Sequence, residues 1–318
     1  MKISVVTTLD KSAGWIREFY SRTVAAVESI AGNDYEIIMV NDGSPDDVLD
    51  IVIEIARSDA RVTIVDLSRN FGHHKAIMAG LQHTSGENVF LIDCDLEEAP
   101  ELLIDFDREK NEKELDVVYG VQTARKGGII ERVGGAIFYA GFNRLSGVEL
   151  PRNILTARLM SRAYVRALLL HSERDLFLGG IMQVTGFRQL AMPVVKTARG
   201  ETSYTLGRRL SLLLSAVTSF SAKPLHFIFF IGVGIFFVAM LCALFLLIES
   251  AIGGNYLTGW TSLILSIWVL GGLSLASIGV VGIYLSKVFV EVKARPNTII
   301  RSVINFGDNY ECKFLSVL

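Results

Sequence analysis

Two stretches constrain this chain more than any other feature. Leu225 to Ile248 is uncharged apart from one His near its start, and Ser262 to Leu285 holds no charge at all. Each exceeds the about 20 residues that cross a hydrocarbon core of about 30 Å. Buried core helices are the competing reading, but they seldom stay apolar on every face for so long. Both stretches are therefore expected to be transmembrane helices. The excess behind a hydrophobic fraction of 51%, high for a soluble protein, lies after Pro224.

The flanks set the orientation. Glu249 to Trp260, between the two stretches, contains no Lys or Arg, whereas the outer flanks carry Arg208, Arg209 and Lys223, then Lys287, Lys293, Arg295 and Arg301. The excess of positive charge on cytoplasmic loops places both termini in the cytoplasm, as a two-pass protein of the inner membrane. Met1-Lys2-Ile3-Ser4-Val5 enters a strand pattern at once, so no cleavable signal peptide is expected. A formal charge of −2 offers no basic excess for a nucleic-acid partner. Cys94, Cys242 and Cys312 lie far apart and suggest neither a zinc site nor a disulfide framework, as in a reducing compartment.

Before the first apolar stretch, short β-rich runs alternate with helical periodicity. Ile3 to Thr8, Tyr35 to Val40, Val62 to Asp66, Asn88 to Leu91 and Asp116 to Tyr119 read as strands, with helices over Trp15 to Ile30, up to about Arg57, and His74 to Gln82. This spacing predicts an α/β domain built on a mostly parallel sheet covered on both faces. No G-x-G-x-x-G follows the first strand, so a dinucleotide site lacks its phosphate-binding turn. Ile129 to Leu145 shows one apolar helical face, which either packs on the sheet or lies near the membrane beside an acceptor. Arg188 to Lys196 reads as a further strand. Leu210, Leu213, Leu214, Val217 and Phe220 follow the spacing of an amphipathic helix in the membrane interface. The expected domains are 1–206 (catalytic), 207–222 (interfacial helix), 225–248 and 262–285 (membrane helices) and 286–318 (cytoplasmic tail).

Chemistry concentrates in Ile92-Asp93-Cys94-Asp95-Leu96-Glu97-Glu98. As the continuation of a buried strand it delivers Asp93, Asp95 and Glu97 to the C-terminal edge of the sheet, where ligands bind in open α/β folds. Carboxylates two apart suit a hard divalent cation that bridges the phosphates of a nucleotide. A bare D-x-D is short, and alone it more often marks an ordinary acidic loop. The surrounding motifs change that weighting.

Asn41-Asp42-Gly43-Ser44, Ser68-Arg69-Asn70-Phe71-Gly72, Asp93-x-Asp95-Leu96-Glu97-Glu98-x-Pro100, Glu173-Arg174-x-x-Phe177 and Arg199-Gly200-x-Thr202-Ser203-Tyr204 occur in this order, followed by two apolar spans and Val292-Lys293-Ala294-Arg295-Pro296. In this combination the sequence resembles the membrane-bound family 2 glycosyltransferases that use polyprenyl phosphate: dolichol-phosphate mannose synthases, bactoprenol glucosyltransferases and aminoarabinose transferases. The resemblance implies a GT-A catalytic domain (Rossmann-like, mostly parallel sheet) followed by two transmembrane helices. It further implies inverting, metal-dependent transfer of a sugar from a nucleotide-sugar donor, UDP-linked, to undecaprenyl phosphate, with Mg²⁺ or Mn²⁺ as cofactor, for cell-envelope glycans.

By the same resemblance, Asp42 contacts the base or ribose, Asp93 sits by the ribose and diphosphate, and Asp95 binds the metal. Glu97, where several relatives have Gln, joins the metal shell. Thr8 and Asp10 fall in the first-strand loop near the nucleoside. Arg125 matches a phosphate-contacting position, and Arg199, Thr202, Ser203 and Tyr204 match the loop that closes on the diphosphate or the acceptor phosphate. Arg158 and Arg174 match arginines facing the acceptor phosphate. Three positions depart from the pattern. Asp10 stands where Tyr is common, Ser203 where some relatives have Lys, and Thr156 where some have an Asp proposed as base. No base is assigned, because a phosphate monoester with a second pKa of about 6 is already largely dianionic at neutral pH.

Other features have blander readings. His73, His74 and His83 read as helix-start or surface residues, with one able to approach the donor. Cys94 reads as buried and inert, and Glu173-Arg174 as a structural ion pair or an acceptor contact. Gly271, Gly272, Gly279 and Gly282 allow close helix approach in a membrane, so a homo-oligomer is expected. Two other functions compete. A polysaccharide synthase usually carries Gln-x-x-Arg-Trp, which is missing at Trp15, Trp260 and Trp268. A catalytically idle nucleotide-binding membrane protein would explain the changed first-strand loop and the missing Asp, though the intact Asp93-Asp95 pair and the arginines argue against it.

Overall fold

The computed structural model describes residues 2–122, 153–174, 177–196, 259–307 and most of 225–241. These belong to two units. The first comprises the described residues up to 122, those of 153–196 and 295–307, and the second those from 225 to 294.

In the first unit the chain runs β1 (Ile3–Leu9), α1 (Ile16–Ala31), β2 (Tyr35–Asn41), α2 (Val48–Ser58), β3 (Val62–Leu67), α3 (His73–Gln82), β4 (Asn88–Leu91), α4 (Leu102–Glu112) and β5 (Val117–Gln122). Further along the chain come β6 (Ile154–Ser161), α5 (Arg162–Leu168), α6 (Leu178–Val184), β7 (Gln189–Val194) and β8 (Ile300–Asn305). One eight-stranded sheet takes the order β7-β5-β6-β4-β1-β2-β3-β8. The central four strands are mutually parallel, so the chain leaves each of them at the same sheet edge. That shared edge collects the loops after β1, β2, β3 and β4.

Burial explains why the central strands lack alternation. All seven residues of β1 are buried, because helices cover both faces. On one face Val5, Met39, Ile64 and Phe90 join Phe19 of α1, Val52 of α2 and Phe106 of α4 in a single apolar cluster. Each such side chain stabilises the fold by about 1.5–3 kcal/mol. On the other face α3 comes so close that a Cβ at Gly80 would lie 2.7 Å from Val6 Cγ1 and 2.8 Å from Val40 Cγ2.

The sheet is mostly parallel, as expected, and mixed through β6 and β8. β6 runs antiparallel to both β4 and β5, and β8 antiparallel to β3. The sequence reading contains no strand at β6, because Ile154-Leu155-Thr156-Ala157-Arg158 carries a buried Arg and lacks clean alternation. β8 lies in the segment expected to be a tail. It covers the edge that β3 would otherwise expose.

A polar cluster ties α1 to the start of β3. Asp59, 8% exposed, accepts from Arg61 Nε at 2.8 Å and from the Tyr20 hydroxyl at 2.7 Å. Burial pushes its pKa up, but these bonds outweigh burial and hold it below the ordinary 3.8. A carboxylate depressed in the fold contributes stability that is present above the unfolded value and lost as pH falls through the folded one. Asp59→Asn is thus expected to lower Tm by about 5 °C at pH 7. The gap to wild type should narrow in thermal melts below about pH 4, and a gap independent of pH would refute the assignment.

The second unit contains α7 (Trp260–Val292). Leu275, Ile278, Val281 and Leu285 are all exposed along it. A helix apolar on every side and uncovered by protein calls for a lipid surrounding. Val269–Lys293, with mean hydropathy 1.9, is the one helix among the described residues long and apolar enough to cross a membrane. It overlaps the expected span 262–285 but extends further toward Lys293. The other expected span, 225–248, lies partly outside the described residues; those described between 225 and 241 are helical. The expected helices at 129–145 and 207–222 lie outside them.

Candidate active site

At the shared sheet edge, hydrogen bonds lace the loops after β1, β2 and β3 together. Asp42, 3% exposed, accepts from Phe71 N at 2.7 Å with one carboxylate oxygen and from Gly72 N at 3.0 Å with the other. Burial raises its pKa against these two bonds. Ser44 Oγ accepts from Lys11 N at 2.7 Å and donates to Asp46 at 2.6 Å, and Asp46 accepts from Ala13 N at 2.9 Å. Asp42, expected at the nucleoside, thus holds the Phe71–Gly72 turn in shape.

Gly43 is required where these loops cross. Its φ is +63°, and an added Cβ would lie 2.5 Å from both Arg69 C and Asn70 N. Both obstacles are backbone, so nothing flexible can give way. Gly43→Ala should cost about 2 kcal/mol or more, a Tm loss of roughly 5 °C, and should weaken nucleotide binding. A wild-type melt in this variant would mean that the two loops part easily.

Beyond β4 the chain turns sharply. Leu96 has φ +59°, unusual for a branched side chain, and Glu97 N donates to Asp95 Oδ1 at 2.9 Å. Backbone held this way costs about 1–3 kcal/mol and collects at functional sites. Asp95 Oδ2 has no hydrogen-bond partner among the described residues. Burial, then the charges of Asp93 and Glu97, raise the Asp95 pKa against that backbone bond. Glu97 pairs with Lys196 Nζ at 2.5 Å. Cys94, 4% exposed, donates to Thr8 O at 3.1 Å, and burial pushes its thiol up to about 12, as befits an inert residue.

Among the described residues no three His, Cys, Asp or Glu side chains converge as a ready cation cage. Asp95 beside Asp93 nevertheless fits an ion such as Mg²⁺, which takes one or two carboxylates and draws other ligands from substrate phosphates.

Two further residues complete the edge. His73 Nδ1 lies 3.1 Å from Thr8 Oγ1, and its Nε2 lies 3.6 Å from Asp93 Oδ1. Glu98, 2% exposed, accepts from Thr156 N at 3.2 Å and Ala157 N at 2.6 Å, locking the acidic loop to β6. Burial and the nearby Asp93 charge push its pKa up to about 7.

Beside them lies a cavity of about 210 Å³ lined by His73, His74, Thr156 and Arg158 and otherwise by residues such as Leu91, Leu155, Phe177 and Met182. Arg158 is 6% exposed. Its guanidinium donates to Thr156 O at 3.1 Å, to Leu155 O at 2.9 Å and to the Met182 sulfur. It has no ion pair among the described residues, and burial lowers its pKa.

Of the expected site residues, Thr8, Asp42, Asp93, Asp95 and Glu97 gather at this edge, with Asp10 exposed on the loop after β1. Arg158 lines the cavity, and Arg174 is not among its lining residues. Glu173 O accepts from Asn297 at 3.2 Å. Arg125, Arg199, Thr202, Ser203 and Tyr204 lie outside the described residues. The sequence reading gives no role to Glu98 or Lys196, and reads His73 chiefly as a helix start. Glu98 had a signal in its Asp93–Glu98 stretch; Lys196, the last residue of an expected strand, had none.

An α/β sheet with carboxylates at the C-terminal strand edge marks a ligand-binding enzyme fold, and comparison with known proteins makes the class specific. Residues 6–169 match the model of glycosyl transferase family 2. A Mycobacterium tuberculosis protein named only as a glycosyltransferase is 46% identical over 303 residues, 95% of this chain and 88% of that one. The prophage bactoprenol glucosyl transferase homolog of Escherichia coli is 34% identical over 306 residues, covering 95% and 99%. A mannosyltransferase from Pyrobaculum calidifontis, solved with GDP-Man and Mn²⁺, shares the fold with a TM-score of 0.50 at 17% identity, covering 92% of this chain and 86% of its own. The chain belongs to glycosyltransferase family 2 and is a glycosyltransferase with a GT-A-like fold.

Proposed function

We propose that this protein moves a sugar, with inversion, from a UDP-linked donor to undecaprenyl phosphate at the cytoplasmic face of the membrane, for envelope glycans. The observation that carries this is Arg158, a buried guanidinium without a carboxylate partner among the described residues, facing a mostly apolar cavity next to His73 and Asp93. A buried cation calls for an anion, and apolar walls call for hydrocarbon. A phosphate monoester on a prenyl chain supplies both. The bactoprenol glucosyl transferases, covered almost end to end, favour the same acceptor.

In this reading the loops after β1, β2 and β3 hold the nucleoside through Thr8, Asp10 and the turn fixed by Asp42. Asp93 stands by the ribose and diphosphate. Asp95, with Asp93 and Glu97 close by, holds Mg²⁺ or Mn²⁺, which when bound neutralises charge on the departing diphosphate. Arg125, Arg199, Thr202, Ser203 and Tyr204 extend the phosphate contacts. Arg158, aided by Arg174, orients the acceptor phosphate. One of its oxygens attacks the anomeric carbon, a new C–O bond forms there, and the bond to the nucleoside diphosphate breaks. The nucleophile is already ionised, so the step needs no side-chain base, which suits Thr156. The catalytic domain (1–206), interfacial helix (207–222), two spans and tail keep both termini cytoplasmic, and the glycine face of α7 joins copies into a homo-oligomer.

The test incubates detergent-solubilised protein with undecaprenyl phosphate, Mn²⁺ and a panel of UDP- and GDP-sugars, followed by mass spectrometry of the lipids. A product one sugar heavier supports the proposal and names the donor. A growing polymer would replace it with a polysaccharide synthase. Nucleotide binding without any product would favour the idle protein.

A further inference from the structure

Arg301, on the strand that follows α7, is tied to the loops of the donor site. Its Nη1 lies 3.2 Å from Asp66 Oδ2 and its Nη2 donates to Ser68 O at 3.0 Å, while Ser68 N donates to Ile299 O at 2.9 Å. Asp66 is 3% exposed, and its other oxygen accepts from Asn41 Nδ2 at 2.7 Å. Asn41 Oδ1 in turn accepts from Ser44 N at 3.1 Å. One buried carboxylate thus joins β8 to the turn after β2. The backbone contacts at Ser68 join the same strand to the loop whose Phe71 and Gly72 amides Asp42 holds.

Electrostatics gives this relay a direction. Asp66 is a buried charge, and Arg301 is its only ion-pair partner among the described residues. Removing a cation from a buried carboxylate strands the charge, and the structure relaxes by admitting water or turning the carboxylate outward. Either response frees Asn41 and then Ser44. Arg301 itself is 55% exposed and fills no core space, so its loss acts through Asp66 rather than through packing.

We infer that Arg301 is a positioning residue for nucleotide-sugar binding: through Asp66 and Ser68, the strand after the apolar helix sets the two donor loops in their binding shape. Arg301 touches no substrate in this scheme. Donor binding then depends on docking of the C-terminal strand β8 against β3. The inference rests on the donor-site reading above.

The experiment compares full-length wild type, Arg301→Ala and Arg301→Lys in detergent by hydrogen exchange, which needs no substrate. In Arg301→Ala the amides of Ser44, Phe71 and Gly72 should exchange about tenfold faster, with α1 and α4 unchanged. Arg301→Lys keeps the charge but not the two-pronged geometry, and should fall between. In the transfer assay, with UDP-glucose or whichever panel sugar the wild type turns over, the donor KM should rise about tenfold with kcat and the acceptor KM little changed. Unchanged exchange in the two loops, exchange raised equally in α1, or an unaltered donor KM would each overturn the inference. Wild type without turnover on any sugar would instead sink the donor-site reading, while the exchange result still decides whether Arg301 sets these loops.

Discussion

Asp95→Ala and Asp95→Asn are expected to abolish sugar transfer, by at least about 10³-fold, while the protein stays folded. Asp95 sits with Asp93 and Glu97 close by, and burial and these charges raise its pKa. Removing it relieves repulsion with Asp93 and Glu97 and removes an oxygen that the proposed cation would use to balance the leaving diphosphate. The two variants differ in one respect. Asn keeps an acceptor for Glu97 N and so keeps the turn at Leu96, whereas Ala leaves that amide unbonded. Asn should thus melt close to wild type and Ala slightly lower, by about 1 kcal/mol. Transfer assays with Mn²⁺ alongside thermal melts separate these effects, and an Asp95→Asn enzyme with near-normal turnover would end the metal assignment.

The second large effect is expected at Arg158. Arg158→Gln keeps a donor for the Leu155 and Thr156 carbonyls but removes the buried charge. Losing one preorganised electrostatic contact to a phosphate should lower acceptor-dependent kcat/KM by about 10²–10³-fold. Donor binding should be unchanged, because Arg158 lines the cavity on β6 rather than the loops after β1, β2 and β3. Stability should hold or rise, since a neutral group replaces a buried cation that has no ion pair among the described residues. Activity and Tm would then move in opposite directions, which a merely structural arginine would not produce. If Arg158→Gln lost stability and kept its acceptor KM, the guanidinium would be a strut for β6 and the acceptor would sit elsewhere.

Much of this was legible in the chain. The central strands announce themselves because burial on both faces demands continuous apolar runs, and Asn41-Asp42-Gly43-Ser44, Ser68–Gly72 and Asp93–Glu98 mark their ends. β6 escapes because its middle carries Arg158, a residue that sits in a buried strand only when acceptors such as the Leu155 and Thr156 carbonyls satisfy its guanidinium. β8 escaped because six residues after a long helix look like any tail until β3 offers an open edge. His73 looked like an ordinary helix start. Its position between Thr8 and Asp93 depends on how α3 packs against β1, drawn in through Gly80.

The sequence by itself determined the class of fold, the long apolar helix and the residue types at the sheet edge. These follow from local rules: periodicity, charge exclusion and turn chemistry act over a few residues and leave local traces. Only the tertiary structure decided what those residues do for one another. Asp42 holds a turn, Glu98 clamps β6, Glu97 faces Lys196, and Arg301 reaches Asp66 from 235 positions away along the chain. The reason is physical. A carboxylate's role is set by which donor lies within about 3 Å of it, and that distance is fixed by how strands far apart in sequence come to lie side by side.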